Sequence, residues 1–427
     1  MMTGIHNSYP ELVSVNTKRC LRSSGVNCTN CIRVCPMHVI SLRDQLPIAL
    51  KPEKCIACHC CKGSCPAGLE TIRVEHLPFQ EKSQTLELNR CVPALRVQVG
   101  GLELDSPILL ASGPIGRCAR GWLQATAFGF GAVITKTVTV EPRSGNPSIR
   151  IFPYAQRSIV NCEGLPNLGI NAMVQEMQSF KKIYSQCVVV PSLSANIKED
   201  FLIMAERLEA AGADALELAL HGCPNVVEGS KAAPGRRWIA EPLETAKLIE
   251  AVRGVVKIPI WVKVNDYVDT AVACQEAGAD ALIVRQRSAM AMPIDSETGR
   301  PVLSHPLGQG VFTGPHTKPY GLRAVAEIAQ RVSLPIIGNG GIWSAQDVID
   351  YIRAGAASVQ LITLAIRRGL STVSQIVDDL EAYRINRQIK GIEELRGHTH
   401  KYLTPANSKN CSISGPVGFR DVVDQVD

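Results

Sequence analysis

Leu334-Pro335-Ile336-Ile337-Gly338-Asn339-Gly340-Gly341 runs from a short apolar segment into a glycine turn; an amphipathic helix over 345–354 and a second apolar run over 357–362 follow it. Apolar run, turn, helix and apolar run make a β-α-β unit with parallel strands. The unit recurs upstream. Apolar runs at 108–112, 131–136, 188–193, 214–220, 258–264 and 280–284 precede it, and predicted helices over 201–211, 243–252 and 320–331 separate several of them. Eight strands alternating with helices predict an α/β fold, a closed (β/α)8 TIM barrel rather than an open doubly wound sheet. An open sheet would more often open with a Gly-x-Gly-x-x-Gly turn, and the chain has none there.

With 427 residues and 45% hydrophobic content, the chain holds more than one barrel of about 250 residues. The expected division is a small ferredoxin-like, cysteine-rich unit and connector over 1–95, the barrel over 96–400 and a tail over 401–427. The net charge of +6 is spread among nearly as many acids as bases, and aromatics are only 5%, so no nucleic-acid surface is expected. No stretch of 18 apolar residues or leader-like apolar core is present in the sequence, so no membrane partner and a cytoplasmic location are expected. His398 and His400 in the last part of the chain are expected to be solvent-exposed and to carry no chemistry.

Nine of the sixteen cysteines fall between Cys20 and Cys65. Cys55, Cys58, Cys61 and Cys65, followed by Pro66, have the C-x2-C-x2-C-x3-C-P spacing by which one loop presents three thiolates to a cubane and a fourth to its neighbour. Cys28, Cys31, Cys35 and Pro36 repeat the last part of it, and Cys20 stands eight residues ahead. A structural zinc site is the rival, but zinc pairs need no such repeat. This stretch resembles a bacterial-type ferredoxin with two [4Fe-4S] clusters. That resemblance implies one cluster on Cys20, Cys28, Cys31 and Cys65 and the other on Cys35, Cys55, Cys58 and Cys61. Cys60 has no place in the pattern and reads as a free thiol.

The Gly340-Gly341 turn after strand seven lets backbone N–H groups approach an anion, and a helix starting near Ser344 would add its dipole. A tight turn needing positive φ is the plainer reading of the same residues. Loops after strands seven and eight are the usual phosphate grip of such barrels. Beside iron–sulfur clusters, FMN is the economical ligand, because a flavin converts two-electron chemistry into single-electron steps. On the loop after strand four, Cys223 stands between Gly222 and Pro224, where a thiol can act as acid or base.

Over residues 96–400 the chain is similar to the dihydroorotate dehydrogenase superfamily, which includes the barrel domain of dihydropyrimidine dehydrogenase. The resemblance is carried by Ala111-Ser112-Gly113, Ile134-Thr135-Lys136-Thr137, Gly145-Asn146-Pro147, Asn161, Gly164-Leu165-Pro166-Asn167-Leu168-Gly169, Cys223-Pro224-Asn225, Val262-Lys263, Gly340-Gly341-Ile342 and the run from Gln360 to Thr363. It implies flavin contacts by Ala111, Ser112, Lys136, Lys263 and Gly314, with Gly340, Gly341 and Thr363 around the phosphate. It also implies Cys223 as catalytic acid/base, and Asn161, Gly164, Leu165 and Asn225 around the substrate.

Two departures bear on the substrate. Where the family has an asparagine three residues before the catalytic group, this chain has Leu220, or Ala219 if Gly222 is an insertion. After strand six the family's Asn-Ser/Thr pair is replaced by Gln286-Arg287, with Arg285 beside it. Arg285, Arg287 and His221 could grip an anionic group, or could pair with a barrel carboxylate such as Glu217. The expected reaction is oxidation or reduction of a carbon–carbon bond beside a carbonyl, on a small pyrimidine-like or anionic unsaturated substrate. The readings beside it are a true dihydropyrimidine or dihydroorotate dehydrogenase, and a non-catalytic FMN and iron–sulfur relay subunit. No NAD-binding domain is visible, so the expected electron partner is a ferredoxin or a separate NAD(P)H-reading flavin subunit, in a homodimer or larger complex.

Overall fold

The computed structural model describes residues 13–75, 91–155, 157–220, 236–285 and 290–403. Eight parallel strands close into a barrel in chain order. They are Ile108–Leu110, Ala132–Ile134, a third strand split into Val189–Val190 and Ser192–Leu193, Leu216–Leu218, Ile260–Lys263, Ala281–Arg285, Ile336–Asn339 and Ser358–Leu361. The eighth pairs with the first, Gln360 opposite Leu109, and the two halves of the third pair with the second and the fourth. The split falls at Pro191, which has no N–H to give a ladder. All eight expected strands are present, most of them shorter than the apolar runs that announced them, and the sixth is displaced by one residue to Ala281–Arg285.

These strands are buried on both faces, as parallel sheets require. Ile260, Trp261 and Val262 have no solvent exposure. Helices Lys198–Ala210, Pro242–Arg253, Lys318–Ala329 and Ala345–Arg353 stand where the periodicity puts them. Below the barrel a hairpin, Val97–Val99 with Leu102–Leu104, buries Val97, Val99 and Leu104, and Gly100 accepts the Trp261 indole N–H at 3.1 Å. Above it lies a four-stranded antiparallel sheet in the order Met290–Ala291, Gly310–Thr313, Ser158–Asn161, Ile151–Tyr154.

The cysteine-rich segment is built from two short antiparallel pairs, Val13–Val15 with Ile72–Val74 and Ile40–Arg43 with Leu46–Ala49. Two four-residue helices, Asn30–Arg33 and Cys60–Gly63, each carry the middle cysteine of a C-x2-C-x3-C-P run. Val34, Ile56 and Cys60 belong to the same apolar core as the barrel, so the segment packs directly on it. His400 departs from expectation: its Nε2 lies 2.8 Å from the Ala354 carbonyl oxygen, under the end of helix Ala345–Arg353, whereas His398 is exposed. No helix among the described residues is long and apolar enough to cross a membrane.

Candidate active site

A single cleft opens at the C-terminal ends of the barrel strands, roofed on one side by the antiparallel sheet. All eight residues expected around a flavin line it: Ala111, Ser112, Lys136, Lys263, Gly314, Gly340, Gly341 and Thr363. Asn161 and Leu165 line it too; Gly164 does not, and packs on Asn146 behind the wall. His221, Cys223, Asn225, Gln286 and Arg287 lie outside the described residues.

The cleft floor is a chain of polar side chains in or just after five barrel strands, buried at Glu217, Lys263 and Gln360 and half-buried at Ser112 and Asn339. The Lys263 ammonium donates to Ser112 Oγ at 2.9 Å and to Glu217 Oε1 at 2.8 Å. Gln360 Nε2 donates to Glu217 Oε2 at 3.3 Å, and Asn339 Nδ2 donates to Gln360 Oε1 at 3.1 Å. Lys263 is therefore no snorkelling surface lysine. Burial pulls its ammonium below the usual lysine range, against the opposing pull of Glu217. Glu217 pairs with Lys263. Arg285 donates from Nε to Asn265 Oδ1 at 3.1 Å and lines the cleft.

A second cation enters from strand two. Lys136 Nζ meets Glu163 Oε2 at 2.6 Å, with 9% and 14% of the two side chains exposed. Burial raises the Glu163 carboxyl, but Lys136, Arg150 and Arg117 together outweigh it and hold it below the usual glutamate range. Glu163 is a residue that motif reading misses, since nothing in Asn161-Cys162-Glu163-Gly164 marks it as a partner of Lys136.

The glycine turn is built for close approach. Gly340 and Gly341 have φ of +123° and +69°, and a Cβ on Gly341 would lie 2.4 Å from the Lys318 amide nitrogen. Tyr351 pins the turn from beneath by donating to Gly340 O at 2.7 Å. The helix after it, Ala345–Arg353, is closed by a Ser344/Asp347 capping box, and Asp347 also accepts the Trp343 N–H at 2.7 Å and pairs with Lys318. Its dipole is therefore answered inside the chain, while the glycine turn and Thr363 line the cleft.

The cysteines gather in two foursomes. Cys35, Cys55, Cys58 and Cys61 line one small cavity together with Ile56 and Val39. Burial pushes the Cys31 thiol up to about 12, and the nearby Cys28, Cys65 and Cys20 push it the same way. Burial likewise takes Cys55 to about 12, with Cys58 and Cys35 among its neighbours. No group of three or more His, Cys, Asp or Glu among the described residues is placed to hold a single metal ion. A tetrahedral zinc site with Zn–S bonds of about 2.3 Å would need sulfurs closer together than a four-iron cubane does.

The barrel, the strand-end cleft and its buried lysines define an α/β-barrel protein with a cationic cleft at the C-terminal ends of its strands. The dihydroorotate dehydrogenase family model matches residues 94–383. Curated relatives include the catalytic subunits of dihydroorotate dehydrogenase B (NAD(+)) from Desulforudis audaxviator, 35% identical over 71% of this chain and 97% of that one, and from Thermococcus kodakarensis, 31% identical over 72% and 98%. A crystal structure of DHODH from Eimeria tenella in complex with ferulenol shares the fold, with a TM-score of 0.63, 23% identity and coverage of 75% of this chain and 92% of that one. The chain belongs to the dihydroorotate dehydrogenase family and is an FMN-dependent oxidoreductase acting on CH–CH groups. The cysteine-rich segment precedes the matched region.

Proposed function

We propose that this chain oxidises or reduces a carbon–carbon bond beside a carbonyl in a small anionic, pyrimidine-like substrate, with FMN in the strand-end cleft and two [4Fe-4S] clusters in the first 75 residues. The observation that carries the cluster reading is the cavity that draws Cys35, Cys55, Cys58 and Cys61 together from two separate segments. FMN fits the cleft because the glycine turn admits backbone donors, and because Lys136 and Lys263 supply positive charge where a reduced flavin becomes anionic. When bound, FMN exchanges hydride with the substrate and single electrons with the clusters.

The chain's own residues orient and neutralise. Lys263 is fixed by Ser112 and Glu217, so its ammonium presents one geometry to the cleft. Asn161, held through Nδ2 to the Val311 carbonyl at 3.3 Å, is assigned to the substrate together with Asn225. Cys223 is assigned the proton at the substrate carbon next to the one that exchanges hydride. Arg285, with Gln286 and Arg287, is assigned the anionic group.

The relatives are catalytic subunits of an NAD(+)-linked dihydroorotate dehydrogenase. By that likeness this chain works in a larger assembly with a separate electron-transfer partner, and dihydroorotate, itself a carboxylate, is the first substrate to try. The test is anaerobic: measure FMN and iron per chain, reduce the protein, mix it with orotate, uracil, thymine and unsaturated carboxylates, and follow flavin absorbance. Fast reoxidation by orotate or another anionic enone supports the reading. Reoxidation by uracil alone removes the anionic substrate, and silence across the panel favours a relay subunit.

A further inference from the structure

We propose that Glu163 is a positioning residue that sets the electrostatic balance between the Cys35/Cys55/Cys58/Cys61 cavity and the flavin cleft, so that these two redox centres are tuned together within one chain. The inference rests on the reading above that both cofactors bind.

A continuous set of bonds spans the gap. Ser148 Oγ donates to Lys62 O at 2.9 Å, and the Arg150 N–H donates to Gly63 O at 2.8 Å, so the end of helix Cys60–Gly63 is tied to the 148–150 strand entry. Arg150 O in turn accepts the Cys162 N–H at 2.8 Å, and the next residue is Glu163. From the other side Cys118 Sγ donates to Ile56 O at 3.4 Å, where Ile56 lines the cavity. Glu163 then reaches Lys136 at 2.6 Å, and both line the flavin cleft. The carboxylate thus stands between the two proposed cofactors.

Its surroundings are cationic. Lys136, Arg117 and Arg150 face this one carboxylate, and the Nε atoms of both arginines are buried without a hydrogen-bond partner. Three positive charges against one negative leave about two unbalanced charges in a poorly screened interior, where Coulomb terms reach further than in water. The cavity lined by Cys35, Cys55, Cys58 and Cys61 is the one that the Ser148, Arg150 and Cys118 bonds reach, through Ile56, Lys62 and Gly63, and none of them reaches Cys20, Cys28 or Cys31.

Positive surroundings favour the reduced, more negative form of a cluster or flavin and so raise its potential. Removing the Glu163 charge leaves the cationic group less compensated. The experiment is an anaerobic redox titration of the loaded enzyme, following flavin by absorbance and the clusters by low-temperature electron paramagnetic resonance. In Glu163→Gln the flavin potential and one of the two cluster signals shift upward while the other cluster signal stays put; Glu163→Asp, which keeps the charge, stays near wild type. No shift, an equal shift of both clusters, or the same shift in Asp and Gln overturns the proposal. If the Gln variant sheds flavin, the selective shift of one cluster signal decides alone. Wild-type protein lacking FMN or iron would overturn the functional reading itself, whereas full cofactor content without a selective shift overturns only the role of Glu163.

Discussion

Glu217 and Lys263, from neighbouring barrel strands, form an ion pair of 2.8 Å with 0% and 3% of their side chains exposed. A pair this deep is a poor source of net stability, because desolvation offsets the attraction. Its consequence is geometric: Lys263 is held at Ser112 on the cleft floor. Breaking it leaves an uncompensated charge, so Glu217→Gln is expected to cost about 3–5 kcal/mol in denaturant unfolding. The double variant Glu217→Gln/Lys263→Met is expected to regain much of that stability and still to bind FMN weakly. Denaturant midpoints alongside flavin content separate the two effects; full flavin content in the double variant would remove Lys263 from the flavin site.

Gly341 and Gly299 offer a paired test of the phosphate cradle. Both have positive φ, +69° and +67°, so alanine at either meets the left-handed backbone penalty of roughly 1 kcal/mol. Only at Gly341 would the added Cβ also strike backbone, at Lys318 N, whereas at Gly299 nothing lies within 4 Å. Gly341→Ala is expected to weaken FMN retention at least tenfold, read by flavin fluorescence on dilution, and Gly299→Ala to leave it unchanged. Equal retention in both variants would deny the turn a part in binding.

The barrel is legible in the sequence because parallel strands buried on both faces appear as apolar runs, and Ile260–Lys263 is one such run ending in a buried lysine. Pro191 shows where that signal blurs, since a run over 188–193 reads as one strand although the proline divides its pairing. The antiparallel roof is not legible. Ser158–Asn161 pairs with Gly310–Thr313 about 150 residues away, and no local pattern encodes such a partner. Glu163 is hidden for the same reason, its meaning coming from Lys136 at the end of another strand, 27 residues earlier.

Arg285 tests the charge of the substrate. Its guanidinium lines the cleft and is oriented by Asn265, which itself has φ of +54°. A hydrogen bond to a charged group contributes about 1.5–3 kcal/mol, so Arg285→Ala is expected to raise KM for a carboxylate substrate roughly 10- to 100-fold. The change in kcat should be smaller, and an uncharged pyrimidine should be turned over as by wild type. Equal losses on charged and uncharged substrates would make Arg285 a structural residue.

The cysteine foursomes predict both stoichiometry and pH dependence. Cys20→Ser and Cys28→Ser should each remove about half of the bound iron, and Cys58→Ser and Cys61→Ser the other half, whereas Cys60→Ser should remove none. Retention of all iron in Cys20→Ser would expel that residue from its set. Burial and neighbouring thiols hold Cys31 and Cys55 near 12, so at neutral pH the iron-free segment carries them protonated. Cluster assembly must displace those protons, and its equilibrium therefore improves as pH rises towards 12. Anaerobic reconstitution from iron and sulfide at pH 6.5 and at pH 8.5, followed by absorbance, should reach higher occupancy at the higher pH. Occupancy that is the same at both values would mean that thiol deprotonation does not limit assembly.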